Sequence, residues 1–225
     1  MREKILTSLR VTNRCYLTDV LMRNEPARHQ AIKAQFEQHM GAIADYCIAH
    51  FVNADELTPE FICGLHKIHF PRGYCLDTIL PDGRKLNMVP GEYKKFENGL
   101  DSTAFPGAVM PTALPEDVPG AMEKAVSRLN MLLANTHEAK AKRDSVIHFL
   151  LDFSAIHPFG DANGRIACIL ADLLMIKAGL EALSLSRIKE LDRTALYRAA
   201  GLGKCRLNQI FHQHSLVVKF HTIFC

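Results

Sequence analysis

A base, a carboxylate and a guanidinium occur within nine consecutive residues of this 225-residue chain, in the order His157-Pro158-Phe159-Gly160-Asp161-Ala162-Asn163-Gly164-Arg165. The imidazole of His157 titrates near neutrality and could accept a proton from a hydroxyl. Asp161 offers the hard oxygen ligand that Mg2+ prefers, usually shared with substrate phosphates. The small residues Ala162 and Gly164 let an anion approach the backbone, and Arg165 adds donors. The stretch therefore indicates phosphoryl or nucleotidyl transfer.

Two apolar helices are predicted to hold this stretch in place. Apolar residues recur at helical spacing through residues 145–156, and Pro158 cannot continue that helix. Residues 166–178 are apolar on nearly all sides, and Gly179 is a plausible stop. The second helix should begin near Gly164, and its first N–H groups, which lack intrahelical acceptors, favour an anion.

The stretch closely resembles the signature of the Fic (Fido) family, His-x-Phe-x-Asp/Glu-Gly-Asn-Gly-Arg-x-x-Arg. The resemblance covers roughly residues 58–180 and implies a mainly α fold, a Fic-type helical bundle with a short β-hairpin flap. It implies that His157 is the catalytic base and that Asp161 holds Mg2+. It also assigns nucleotide binding to five loop residues: Gly160, Ala162, Asn163, Gly164 and Arg165.

The reaction that the resemblance implies is transfer of a nucleoside monophosphate, most often AMP from ATP, to a Ser, Thr or Tyr hydroxyl of a target protein. The chain departs from the signature twice, with Ala162 for the first glycine and Cys168 for the final arginine. In relatives that use ATP this arginine holds the terminal phosphate, a charge-assisted bond worth about 1.5–3 kcal/mol. The alternatives are transfer of phosphocholine from CDP-choline, transfer from another donor, or a Fic-fold module that binds nucleotide with little or no turnover.

Residues 74–98 lack helical periodicity and contain two turn signals, at 81–83 and 90–91. Strands are predicted near 77–80, 84–89 and 93–97, followed by a loop over 100–115. The resemblance places the flap at about 79–98, where a target segment would align by strand addition. The residues that it implies for target contact are Leu86, Asn87, Met88, Tyr93 and Lys94.

The rest of the chain is predicted to be helical. Residues 1–57 form an N-terminal helical region, and Thr58-Pro59 is a helix start signal. A further helix is predicted over about 115–135, between the flap and the helix before His157. Residues 181–225 form a C-terminal extension, packed on the core, with helical segments at 192–200 and 207–220.

Composition limits the classes of partner. With 48% hydrophobic and 23% charged residues the chain is typical of a globular protein, and its net charge of +3 is scattered, so we expect no nucleic-acid partner. No apolar run is long enough to span a membrane, and the N-terminus resembles no signal peptide. The cysteines form no C-x-x-C pair, and His66 and His69 are interpreted as structural or surface residues. A cytoplasmic protein is expected, with delivery into another cell as an effector as the alternative, and a homodimer is compatible with the sequence.

Overall fold

The computed structural model describes residues 1–15, 29–70, 76–79, 85–101 and 109–183. Helices account for most of them, which confirms the mainly α fold class. In chain order the helices are α1 (Arg2–Cys15), α2 (His29–Cys47), a π-helix (Ile48–Val52), α3 (Pro59–His69), α4 (Val118–Ala134), α5 (Ala139–Ile156) and α6 (Asn163–Lys177). The short strands are β1 (Leu76–Ile79), β2 (Lys85–Met88), β3 (Gly99–Asp101) and β4 (Val109–Pro111). The helices predicted over 192–200 and 207–220 lie outside the described residues.

The described residues divide into two compact units, Met1–Glu92 with the segment that begins at Cys168, and Tyr93–Ala167. In the first unit, Thr58 caps α3 as its sequence predicts, since its side chain accepts the N–H of Phe61 at 3.1 Å. Lys177 donates to the carbonyls of Phe51 (3.0 Å) and Ala54. The buried core of this first unit is aliphatic and aromatic and includes Ile5, Leu9, Met40, Ile43, Phe51, Ile62, Leu65, Leu170 and Met175.

The predicted hairpin is present: β1 lies one residue earlier than the predicted strand 77–80, and β2 lies within the predicted strand 84–89. β1 and β2 pair antiparallel with Leu76 opposite Met88 and Ile79 opposite Lys85. The third predicted strand, 93–97, is wrong, because a turn follows β2. Gly91 has a φ of 93°, and its N–H donates to Nδ1 of buried His66 at 2.8 Å. Beyond this turn the backbone N–H of Lys94 donates to the carbonyl of Pro158, in the loop after α5, and not to a neighbouring strand.

The second unit contains β3, β4, α4, α5 and the first turn of α6. The loop predicted over 100–115 was wrong in part, because β3 and β4 pair antiparallel with Leu100 opposite Met110. Proline and glycine in this segment hid the pairing from sequence reasoning. Helix α5 begins at Ala139, six residues before the predicted start at Ser145, because its first turns are polar and show no apolar period. Within the described residues no helix is both long and apolar enough to cross a membrane.

Candidate active site

The loop between α5 and α6 has a strained backbone at both ends. His157 ends α5 in the left-handed conformation (φ 51°, ψ 61°), with its N–H donating to the Phe153 carbonyl at 2.9 Å. Ala162, the residue before α6, has a φ of 59°. Among the described residues these two are the non-glycine residues with positive φ. Such conformations cost free energy and persist only where the surroundings hold them, which is common at functional sites.

A pair of reciprocal hydrogen bonds closes the middle of the loop. The Phe159 N–H donates to Oδ1 of Asn163 at 2.9 Å, and Nδ2 of Asn163 donates to the Phe159 carbonyl at 2.8 Å. Asn163 is only 4% exposed, and the Phe159 ring is fully buried 5.8 Å from the ring of Tyr93. Both polar atoms of the Asn163 side chain are thus used to fix the loop. Its predicted role in nucleotide binding stays a prediction.

A buried lysine lies beside the loop. Nζ of Lys94 donates to Oδ1 of Asn98 (2.6 Å), Oγ1 of Thr112 (2.7 Å) and the Ile156 carbonyl (3.3 Å). The backbone N–H of Lys94 donates to the Pro158 carbonyl at 2.9 Å. Burial lowers the pKa of Lys94 to about 8, although Glu97 opposes the shift. Sequence reasoning missed the parts played by Asn98 and Thr112, since neither stands in a motif or in a periodic segment.

His157 is unprotonated at physiological pH. Burial first, and then the charge of Lys94, lower the pKa of His157 to about 4, although the charge of Asp161 and a hydrogen bond with the Ser154 backbone oppose the shift. A neutral imidazole can accept a proton, which is the property that a general base needs.

Asp161 and Arg165 form an ion pair one helical turn apart. The guanidinium donates to Oδ2 of Asp161 at 3.2 Å, and the Asp161 side chain is 48% exposed. An accessible carboxylate of this kind fits Mg2+, which is commonly bound through one or two carboxylates together with substrate phosphates. Among the described residues no group of three or more His, Cys, Asp or Glu side chains forms a metal cluster.

The N-terminus of α6 completes the loop. The first helical bond is donated by the Ile166 N–H to the Ala162 carbonyl at 2.9 Å. The N–H groups that precede Ile166 lie before the regular hydrogen-bond ladder of α6, and the helix dipole places partial positive charge there. Together with Arg165, this end of α6 is suited to a phosphate.

The family model for the Fic/DOC family matches residues 56–175, more than half of the chain. The chain belongs to the Fic/DOC family. This family includes AMP-transferring enzymes and other transferases. A search of curated proteins finds no match to the sequence.

A solved structure shares the Fic fold. It is the crystal structure of a Fic domain-containing signaling protein from Bacteroides thetaiotaomicron VPI-5482, with a TM-score of 0.51 and 21% sequence identity. The match covers 73% of this chain and 56% of that chain, so the present chain spans little more than half the length of the other protein. At this identity the similarity is one of fold.

The Fic signature residues from His157 to Arg165 lie together in the loop between α5 and α6 and in the first turn of α6, with Tyr93 and Lys94 beside the loop in the same unit. The other residues expected at a Fic flap, Leu86, Asn87 and Met88, lie on β2 of the first unit. Their role in target contact stays a prediction. Cys168, where the Fic signature has its final arginine, is 2% exposed.

Proposed function

We propose that this Fic protein is a transferase that attaches a nucleoside monophosphate, with AMP from ATP as the first candidate, to a Ser, Thr or Tyr hydroxyl of a target protein. The observation that supports this most is the position of His157. An unprotonated histidine, fixed in a strained conformation, lies in the same loop as an Asp161–Arg165 pair at a helix N-terminus. That combination provides a base and a phosphate site together.

The chemistry requires one proton acceptor and one anion site. His157 takes the proton of the target hydroxyl as the hydroxyl oxygen forms its bond to the α-phosphorus of ATP. The bond to the pyrophosphate breaks, and its electron pair leaves with the pyrophosphate. The Arg165 guanidinium and the first N–H groups of α6 hold the phosphate and stabilise the charge that develops on it.

Asp161 is the proposed ligand for Mg2+, because its carboxylate is accessible and stands next to the phosphate site. When bound, the ion would neutralise phosphate charge. The target protein is proposed to align along the hairpin strand β2 by strand addition. We place the reaction in the cytoplasm, of this cell or of a recipient cell.

A donor screen tests the proposal. The protein is incubated with Mg2+, a cell extract and ATP, UTP, GTP or CDP-choline in turn, and modified proteins are examined by intact-mass spectrometry. We expect the mass increment of AMP with ATP, and none after His157→Ala. The matched control is His137→Ala, since His137 is an exposed histidine before α5 and should leave transfer unchanged. Transfer that continues unaltered in His157→Ala would contradict the assignment of the base.

One observation favours a second candidate, a Fic module that binds nucleotide without turnover. Cys168 is buried and a thiol offers no positive charge, so it cannot replace the arginine that holds the terminal phosphate in ATP-using relatives. Calorimetry separates the candidates. Magnesium-dependent nucleotide binding with no modified product from any of the four donors supports the module, and a mass increment in the donor screen excludes it.

A further inference from the structure

Three backbone carbonyls around His157 are held by one short segment, residues 94–98. Nζ of Lys94 donates to the Ile156 carbonyl at 3.3 Å, and the Lys94 N–H donates to the Pro158 carbonyl at 2.9 Å. Nδ2 of Asn98 donates to the Phe159 carbonyl at 3.0 Å. The residues immediately before and after His157 are therefore bound to the same lysine, one through its side chain and the other through its backbone.

The ammonium group of Lys94 is fully engaged. It is 4% exposed, and its three acceptors match the three protons that a lysine ammonium can donate. One acceptor, the Thr112 hydroxyl, lies within hydrogen-bond distance of the Asn98 backbone carbonyl and side-chain oxygen, at 2.9 Å in each case. We call Lys94, Asn98 and Thr112 the lysine clamp. A buried charge is costly unless it is paired in this way, and a satisfied polar network rigidifies its surroundings.

We propose that Lys94 is a positioning residue for His157, because its side chain and its backbone bind the carbonyls on both sides of the histidine and hold it in the left-handed conformation. The left-handed conformation costs an L-residue about 1–2 kcal/mol. Such a residue stays in place only if its neighbours determine its geometry. The lysine clamp, which lies outside α5 and α6, fixes the backbone on both sides of His157 through these bonds.

A merely structural lysine would behave differently. If Lys94 contributed only to folding, its loss would lower stability and leave the environment of the His157 ring unchanged in the protein that still folds. If instead Lys94 positions the base, its loss should change the ring environment directly. The catalytic consequence rests on the proposed function, but the effect on the ring does not.

NMR spectroscopy tests the positioning without any need for activity. The Cε1–Hε1 resonance of His157 is assigned by its absence in His157→Ala and is then compared among variants at pH 7. We expect Lys94→Met, which keeps the length of the side chain but not its donors, to shift or broaden this resonance. Lys94→Arg, which keeps the charge and the donors, should restore it.

Lys177 supplies the matched control, because its Nζ also donates to two backbone carbonyls, those of Phe51 and Ala54, which are distant in sequence from the loop. Lys177→Met should lower the melting temperature and leave the His157 resonance unchanged. If Lys94→Met does not fold, Thr112→Val removes one of the three acceptors and should give a smaller change of the same kind. A folded Lys94→Met or Thr112→Val protein with the wild-type resonance overturns the proposal.

Kinetics extend the test where the wild type transfers a nucleotide. Misplacing a catalytic group lowers the rate of the chemical step, so Lys94→Met should lower kcat about 10- to 100-fold. KM should change little, since a base acts in the transition state and not in ground-state binding. A wild type that transfers nothing counts against the proposed function alone, because the NMR comparison still decides whether Lys94 positions His157.

Discussion

Ala162→Gly is expected to change the free energy of unfolding by less than about 1 kcal/mol, although it removes a buried methyl group. The φ of Ala162 is 59°, and an L-residue in this region costs about 1–2 kcal/mol, which glycine avoids. Two effects oppose this gain. Glycine gives the unfolded chain more freedom, worth about 0.4–1 kcal/mol. The methyl group, 4% exposed, contributes about 0.8 kcal/mol by its burial.

The matched control is Ala171→Gly. Ala171 is also fully buried, but it lies in the middle of α6, where the backbone is right-handed. Glycine there loses about 1 kcal/mol of helix propensity and about 0.8 kcal/mol of burial, so we expect a destabilisation of about 2 kcal/mol. Urea unfolding at pH 7 measures both variants on one scale. An equal loss in the two variants would show that Ala162 is not left-handed in solution and would refute the reasoning.

The comparison also concerns function. The Fic signature has glycine at this position, and this chain keeps a strained alanine there. A neutral result would show that alanine brings no stability. The replacement of glycine by Ala162 would then have to be explained by the ligand of the first N–H groups of α6, since the Cβ of Ala162 stands directly before these groups.

Two other predictions concern the same loop. The pKa of His157 is lowered to about 4 by burial and by Lys94, so between pH 6.5 and 4 the unfolded chain binds more protons than the folded one. In urea unfolding, the stability of the wild type relative to His157→Gln should therefore fall as the pH is lowered through this window. A stability difference that does not depend on pH would contradict this prediction. Asn163→Ala should lower the free energy of unfolding by about 1–3 kcal/mol in the same assay, because it removes two buried hydrogen bonds to the Phe159 backbone, whose carbonyl keeps its bond from Asn98. A loss below about 0.5 kcal/mol would show that the two bonds to Asn163 are not formed in solution.

The parts of the site that sequence reasoning predicted are those fixed by local rules. The loop between α5 and α6 follows from apolar periodicity interrupted by Pro158, a residue that cannot continue a helix. The end of α6 was predicted from Gly179, which has a φ of 76°. The next N–H, that of Leu180, donates to the Met175 carbonyl at 2.9 Å, the bond expected after a left-handed glycine. Each of these features depends on residues within one or two turns of one another.

The parts that were missed depend on contacts between distant residues. Lys94 binds the Ile156 carbonyl across 62 positions, and Thr112 binds both Lys94 and Asn98. Nothing in one sequence indicates such a pairing, because an acceptor on the backbone has no side-chain signature. The strand predicted over 93–97 was wrong for the same reason, a contact with a residue distant in sequence. The lack of helical periodicity and the preceding turn signal suggested a strand there, but the N–H of Lys94 is bound to Pro158 and the Lys94 side chain is buried.

The residues of the loop differ in how firmly they are held. His157 is fixed on both sides by buried bonds, and Phe159 by its pair of bonds with Asn163. Asp161 and Arg165, the residues predicted to bind a cation and a phosphate, form an ion pair in which the Asp161 carboxylate is half-exposed. Ion pairs that are open to solvent on one side contribute little to stability. In the proposed transfer, a phosphate that arrives with a divalent cation would offer each of them a new partner while His157 keeps its place. On that proposal the loop combines a firmly held proton acceptor with exchangeable ligand groups, an arrangement that suits a site that must release a product and accept a new donor.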